Sequence, residues 1–393
     1  MRNAPSVYTF QFFLLCLSSF LFFSSFNMII PELPAYLDRL GGGEYKGFII
    51  ALFTLTAGVS RPFSGKLADT VGRIPVMIFG AVVCFLCGFI YPLANTVVAF
   101  LLLRLIHGLS TGFKPTGTSA YVADAVPATR RGEAMGVLGL CGSLGMAAGP
   151  AIGSAIASYY SFNNMFYASS GAAILSILIL AGMKETLPAP QRFSLSLLRL
   201  SPREILEPRV LAPCIAMILT TFSYGVVLTL TPDLSDSLGV SNRGMFFLYF
   251  TSASVAVRVF AGKASDKYGR VVVLKVATLV MAVGMLLIGL APTAPVFFAG
   301  GIMFGLGSGM NTPTLFAWTI DLSRDRYRGR AMATMYISLE AGIGIGALLS
   351  GWIYGNHDAN FVWAYGIGAL LAATALVYLQ LGAQRLVPSI ETT

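Results

Sequence analysis

Gly65-Lys66-Leu67-Ala68-Asp69-Thr70-Val71-Gly72-Arg73 has a second copy 197 residues later: Gly262-Lys263-Ala264-Ser265-Asp266-Lys267-Tyr268-Gly269-Arg270. The same offset holds further out. Arg61 matches Arg258, Asp124 matches Asp321, Arg131-Gly132 matches Arg328-Gly329, Met135 matches Met332, and Gly145 and Gly149 match Gly342 and Gly346. One offset kept through several apolar runs marks a duplicated unit.

What lies between the matches is almost wholly apolar. Of the 393 residues 56% are hydrophobic and 11% charged, and the mean hydropathy is +0.76. A soluble domain carries about 25% charged residues, and a water-soluble surface cannot be coated with so few polar groups. The excess must face lipid, so the lipid bilayer is the first expected partner. A helix needs about 20 apolar residues to cross it. Twelve runs qualify, near 9–37, 46–66, 74–94, 97–124, 132–158 and 163–183, then 209–233, 242–264, 271–291, 294–321, 329–355 and 359–383. The expected fold is an all-α membrane protein of twelve transmembrane helices in two pseudo-symmetric six-helix bundles, 1–183 and 209–393, joined by a polar linker at 184–208. Part of that linker suits a short amphipathic helix on the membrane surface. The first run is too long for the apolar core of a signal peptide and is expected to be retained.

The net charge of +9 is a topology signal, not a nucleic-acid footprint. Lys66 and Arg73; Arg130 and Arg131; Lys184, Arg192, Arg199, Arg203 and Arg209; Lys263, Lys267, Arg270 and Lys275; and Arg324, Arg326, Arg328 and Arg330 all fall in alternate loops. The other loops hold only Arg39, Lys46 and Arg243. The basic set belongs in the cytoplasm, with both termini, in a plasma (inner) membrane. The five cysteines, Cys16, Cys84, Cys87, Cys141 and Cys214, all lie in apolar runs, and the Cys84–Cys87 spacing has no second pair or histidine cluster to make a metal site. No phosphate loop and no nucleophile beside a base are present, which argues against an enzyme, against a cofactor and against ATP-driven transport. A proton gradient is the expected energy source, and a monomer the expected state.

The loop Gly65 to Arg73 resembles the G-x-L-x-D-x-x-G-R signature of the major facilitator superfamily; the second copy has Ala264 in place of leucine. The fourth span carries Arg104 and Gly108, similar to the family's R-x-x-x-G, with His107 where glutamine is common. In the fifth span Gly136, Gly145, Gly149-Pro150 and Gly153 resemble the motif of the antiporter branch, especially drug:proton antiporters, with Ser154 at a position usually glycine. The resemblance covers the whole chain and implies a secondary transporter whose halves rock about a central site. It implies gating by Gly65, Asp69, Gly72, Arg73 and Asp124, and by Gly262, Asp266, Gly269, Arg270 and Asp321, with each arginine pairing with the acid that ends the fourth span of its half. A carboxylate at Asp69 would meet a helix N-terminus. Arg61 and Arg258, one turn before the loops, are assigned to gating or snorkelling.

Gly145, Gly149 and Gly153 share a helix face and, with Gly136, are candidates for close helix packing. Pro150 removes one helical hydrogen bond and should bend the span.

Four ionisable residues break the repeat. Glu32, Arg104, Lys114 and Glu340 stand opposite Thr229, Gly301, Asn311 and Ser143. Charges inside a membrane are costly and usually functional. Glu32 lies between Pro31 and Pro34 and shares a helical stripe with Met28, Ser25, Leu21 and Ser18, a face suited to a wet cavity. It is the first candidate for proton coupling, with Glu340 and His107 beside it. It could equally form an ion pair with Arg104. Lys114 needs a partner: a substrate anion, Glu32 or Glu340. Glycines after Glu340 leave room beside that acid. Arg104, Lys114, Glu32, Glu340, Met28 and Tyr224 are the candidates for binding a small-molecule substrate. Proton-coupled export of amphipathic molecules is the leading expectation. Transport of a small organic anion or other metabolite is the alternative, and a non-transporting receptor on the same fold is a third class.

Overall fold

The computed structural model describes residues 8–127, 130–199, 206–323 and 328–381. Thirteen α-helices follow one another with no strand among the described residues: α1 (Phe10–Ile29), α2 (Leu33–Arg39), α3 (Lys46–Thr70), α4 (Arg73–Ile90), α5 (Val97–Ala125), α6 (Arg131–Tyr159), α7 (Phe162–Ala181), α8 (Leu211–Ser237), α9 (Gly244–Tyr268), α10 (Arg270–Gly289), α11 (Ala294–Leu322), α12 (Arg328–Tyr354) and α13 (Phe361–Leu381). Among the described residues ten spans are long and apolar enough to cross a membrane, and the bent helix α9 makes eleven. The remaining helix, α11, is 29 residues long; its glycines and Asn311 dilute its hydropathy.

The first span is broken. Proline lacks an N–H, and α1 stops at Ile29, passes through a 3-10 turn at Ile30–Glu32 and resumes as α2. The linker shows no amphipathic helix among its described residues, only a 3-10 turn at Leu195–Leu198. Residues 200–205, with Arg203, lie outside the described residues, as do Arg324 and Arg326 and the chain after 381.

The chain divides into two compact units whose boundaries cut across the sequence repeat. Unit 1 comprises 1–42, 55–200 and 242–248; unit 2 comprises 43–54, 201–241 and 249–393. In unit 1, α1 packs on α6 and α7, and α4 packs on α5 and α7. Glycine sets the α1–α6 contact. A Cβ on Gly145 would lie 2.5 Å from the Phe20 carbonyl, one on Gly149 2.6 Å from that of Ser24, and one on Gly153 would strike the Met28 backbone. Three glycines four apart thus seat three residues four apart on α1. Gly136 corrects the expectation of packing along the whole motif, since a Cβ there meets nothing within 4 Å. Gly149→Ala is therefore expected to lower the midpoint of thermal unfolding, because the obstacle is backbone and overpacking costs about 1–3 kcal/mol. Gly136→Ala should leave it unchanged or raise it. Equal effects in a detergent unfolding assay would contradict the contact.

The α1–α7 contact uses serines. Ser18 and Ser176 exchange hydroxyls at 2.8 Å, and Ser176 also donates to the Ser18 carbonyl at 3.0 Å. Ser25 donates to the Ser169 carbonyl at 2.7 Å and Ser169 returns the bond at 2.8 Å. The stripe expected to face a wet cavity instead knits α1 to α7 through buried serines, since hydroxyls can stitch helices across lipid. Met28 is likewise buried against Gly149 and Gly153.

In unit 2, α12 packs on α8 through Gly342 and Gly346 against Ile218 and Phe222, and α11 packs on α10 through Gly307 against Met281.

Candidate functional site

The two prolines place Glu32 in a turn, where its side chain leaves the line of α1. It is 3% exposed. Two groups hold it. Ser154 of α6 donates to Oε1 at 2.6 Å, and Arg243, just before α9, pairs with Oε2 through Nη1. Ser154 in turn accepts the Gly244 N–H at 3.0 Å. Asn242 donates to the Ala151 carbonyl at 3.2 Å and caps Gly244 N at 3.0 Å. A side chain on Gly244 would collide with the Pro150 backbone, so glycine is what lets this segment reach α6. All of these residues belong to unit 1. The pair is buried and charge-assisted; such a pair stabilises little against an apolar replacement, but removing one partner is costly.

Arg104 is therefore not the described partner of Glu32. It sits on α5, buried, and donates to the Tyr91 hydroxyl at 3.4 Å. His107 joins the same hydroxyl at 3.2 Å and the Cys84 thiol at 3.4 Å, and Cys84 meets Ser25 at 3.3 Å. A chain of polar contacts thus runs through the core of unit 1 from Ser25 to Arg104. Lys114, 1% exposed, has no carboxylate within unit 1 among the described residues; its ammonium lies 4.9 Å from the centre of the Phe22 ring, a cation–π contact.

In unit 2, Glu340 is buried on α12. The room expected beside it is filled: Gly342 faces Ile218 and Thr221, Gly344 faces Thr54, and Gly346 faces Phe222. Tyr224 joins Phe250 and Phe304 in an aromatic cluster, with centroids 5.6 and 6.5 Å away.

Sequence reasoning missed a second ion pair. Lys46, which begins α3, binds Asp233 of α8 at 2.5 Å in unit 2, with the Tyr354 ring 5.7 Å away. Lys46-Gly47 and Arg243-Gly244 match at the offset of 197, the signal that could have found them. A Cβ on Gly47 would lie 2.8 Å from the Ala347 carbonyl, and Gly351 touches Gly47 directly. Ala347 and Gly351 match Pro150 and Ser154 at the same offset.

Each of the repeated loops holds a charge cluster. Gly72 and Gly269 have φ of +136° and +90°, which favours glycine. Arg73 donates to Asp124 at 2.9 Å, to Asp69 at 2.7 Å and to the Ala68 carbonyl. Arg270 donates to Asp321 at 2.8 Å, Ser265 at 2.8 Å and Asp266 at 2.5 Å. Gly65 and Gly262 face open space. Arg61 is buried in α3, and Arg258 lies in α9.

Asp69, whose side chain is 71% exposed, pairs with Arg73, and the start of α4 is capped by Glu185 of the linker. It accepts the Arg73 N–H at 3.1 Å, the Ile74 N–H at 2.9 Å and those of Thr186 and Leu187 at 2.8 and 2.9 Å. Thr186 donates to Asp124 at 3.0 Å and Gln191 N to the Thr70 carbonyl at 2.8 Å. Glu185 has no repeat partner, so the offset could not reveal it. Glu185→Ala should cost about 1–2 kcal/mol, the loss of a cap at a helix dipole, and speed proteolysis of the linker. Unchanged cleavage would count against this docking.

The chain matches the model of the Major Facilitator Superfamily over residues 15–257 and again over 213–389. It is 24% identical over 382 residues to the quinolone resistance protein NorA of Staphylococcus aureus, covering 94% of this chain and 96% of that one. It is 30% identical over 186 residues to multidrug resistance protein 2 of Bacillus subtilis, a match spanning 47% of this chain and 46% of the relative. The crystal structure of the human organic anion transporter MFSD10 superposes with a TM-score of 0.73 at 19% identity, covering 94% and 98% of the two chains, which speaks to the fold. The chain belongs to the Major Facilitator Superfamily and is an integral membrane transporter, not an enzyme.

Proposed function

We propose that the chain is a proton-coupled exporter of amphipathic small molecules that works by alternating access, with Glu32 as the coupling carboxylate. The observation that carries this reading is the Glu32 site: a carboxylate 3% exposed and shared between Arg243 and Ser154. An ionised Glu32 holds Arg243. A proton taken up on its carboxylate neutralises it, and the attraction that keeps residues 242–244 on α6 weakens. Binding of a proton and mobility of a packed segment are then one event, as exchange of protons for substrate requires. The relatives named for drug resistance support export, and the glycine contacts of α6 fit the antiporter-type motif. Rocking of two six-helix halves, 1–183 and 209–393, with the Arg73 and Arg270 clusters as cytoplasmic latches, belongs to the same proposal, as do cytoplasmic termini, an inner-membrane location and a monomeric state.

The test is proton flux in sealed proteoliposomes under an imposed pH gradient, with panels of lipophilic cations, zwitterions and organic anions. Cations or neutral amphiphiles should dissipate the gradient with native protein and not with Glu32→Gln. Coupling that survives Glu32→Gln would remove Glu32 from this role.

A second reading, transport of an organic anion, is favoured by one observation: Lys114 is buried with no carboxylate partner in unit 1 among the described residues, on the same helix as Arg104 and His107. The fold is shared with an organic anion transporter. Anion transport retained in Lys114→Met with unchanged KM would count against it.

A further inference from the structure

Ser154 occupies a position whose repeat counterpart is Gly351. The two positions do the same packing task. Each lies where a lysine- or arginine-glycine pair presses onto a long helix: Lys46-Gly47 on α12 and Arg243-Gly244 on α6. In unit 2 the contact is glycine on glycine, backbone to backbone, and Lys46 reaches its acid with no hydroxyl between. Close packing at this position therefore needs no oxygen. In unit 1 the oxygen is present, fully buried, and bonded both as donor and as acceptor: it donates to Glu32 Oε1 and accepts from Gly244 N.

We propose that Ser154 is a positioning residue that ties the protonation state of Glu32 to the docking of the segment 242–244. The inference rests on the reading of Glu32 as the coupling group. With Glu32 ionised, the hydroxyl proton points at the carboxylate and the serine lone pairs are free for the Gly244 N–H. Once Glu32 carries a proton, the hydroxyl donates to a neutral carboxyl instead of a charged one and, less polarised, accepts the Gly244 N–H more weakly. Arg243 loses the negative charge of Glu32 in the same step. Two anchors of the segment, one ionic and one hydrogen-bonded, then answer to one proton. The partners of Glu32 among the described residues are Ser154 from α6 and Arg243 from the segment before α9; α2, which follows it, carries Tyr36, Asp38 and Arg39.

The experiment is the pH profile of substrate-driven proton flux in proteoliposomes for native protein, Ser154→Gly, Ser154→Ala and Glu32→Gln, with tetraphenylphosphonium as the probe. Ser154→Gly restores the residue found at 351 and should fold. Both serine variants should keep KM within about twofold and move the midpoint of the profile to higher pH by about half a unit to one unit, the worth of one hydrogen bond that favours the ionised form. Profiles that coincide with the native one, while Glu32→Gln is uncoupled, would overturn the role of Ser154 and leave that of Glu32 standing. Coupling retained in Glu32→Gln would overturn the reading on which it rests.

Discussion

Arg243→Gln is expected to destabilise the protein by about 3–5 kcal/mol and to abolish substrate-driven proton movement. The cost comes from what the substitution leaves behind. Glu32 is buried and ionic, and after the change only the Ser154 hydroxyl faces its charge. Removing one member of a buried ion pair strands the other, which is far more costly than removing both. Glu32→Gln should be milder for stability, because the Arg243 side chain is 20% exposed and can be solvated. The double variant Glu32→Gln with Arg243→Gln should regain most of the stability and none of the coupling. A thermal unfolding series in detergent, paired with proton flux in proteoliposomes, separates the two effects. Equal losses in Arg243→Gln and in the double variant would mean that the pair is not the source of the cost.

Lys46→Met is expected to have the second-largest effect, a loss of about 3 kcal/mol. Lys46 is buried against Asp233 at 2.5 Å, and a methionine there replaces the charge with a chain of similar length. Pairing it with Asp233→Leu should recover most of the loss, since an apolar pair in a buried site is often as stable as the ions it replaces. The prediction differs from the first in its transport consequence. The Glu32 site lies in unit 1 and is untouched by the double change, so proton movement should remain coupled to substrate. A double variant that is stable but uncoupled would show that the two ion pairs work together in coupling, and the assignment to Glu32 alone would have to be given up.

The residues that could be read from the sequence are those whose role follows from local spacing. Gly145, Gly149 and Gly153 sit four apart, and a helix has no choice but to put them on one face; the structure seats them on Phe20, Ser24 and Met28. Pro31 and Pro34 interrupt hydrogen bonding wherever they stand, and the first span breaks there. The loop signature was legible because its glycines stand where the chain turns with positive φ, at Gly72 and Gly269. Pairing across long separations was not legible. Glu32 and Arg243 lie 211 residues apart, and within the sequence Arg104 looked the nearer cation. The serines at 18 and 25 have the same spacing whether they line a wet face or stitch α1 to α7, and only the partner helix decides. Lys46 and Arg243 obey the repeat, yet in sequence they stand as two of the few charges in the outer loops. Glu185 obeys no repeat, and nothing local marks a linker carboxylate as the cap of a helix 112 residues earlier.

Coupling at Glu32 requires that substrate and proton exclude one another there. Purified protein in detergent, in weakly buffered solution at the midpoint pH of its flux profile, where part of the protein carries a proton on Glu32, can be mixed with tetraphenylphosphonium while the proton concentration is followed with a dye. The account predicts a release of protons that saturates with the probe, is lost in Glu32→Gln and is shifted in its pH dependence by Ser154→Gly. Saturable binding of the probe with no proton release from the native protein, or with the same release from Glu32→Gln, would contradict it.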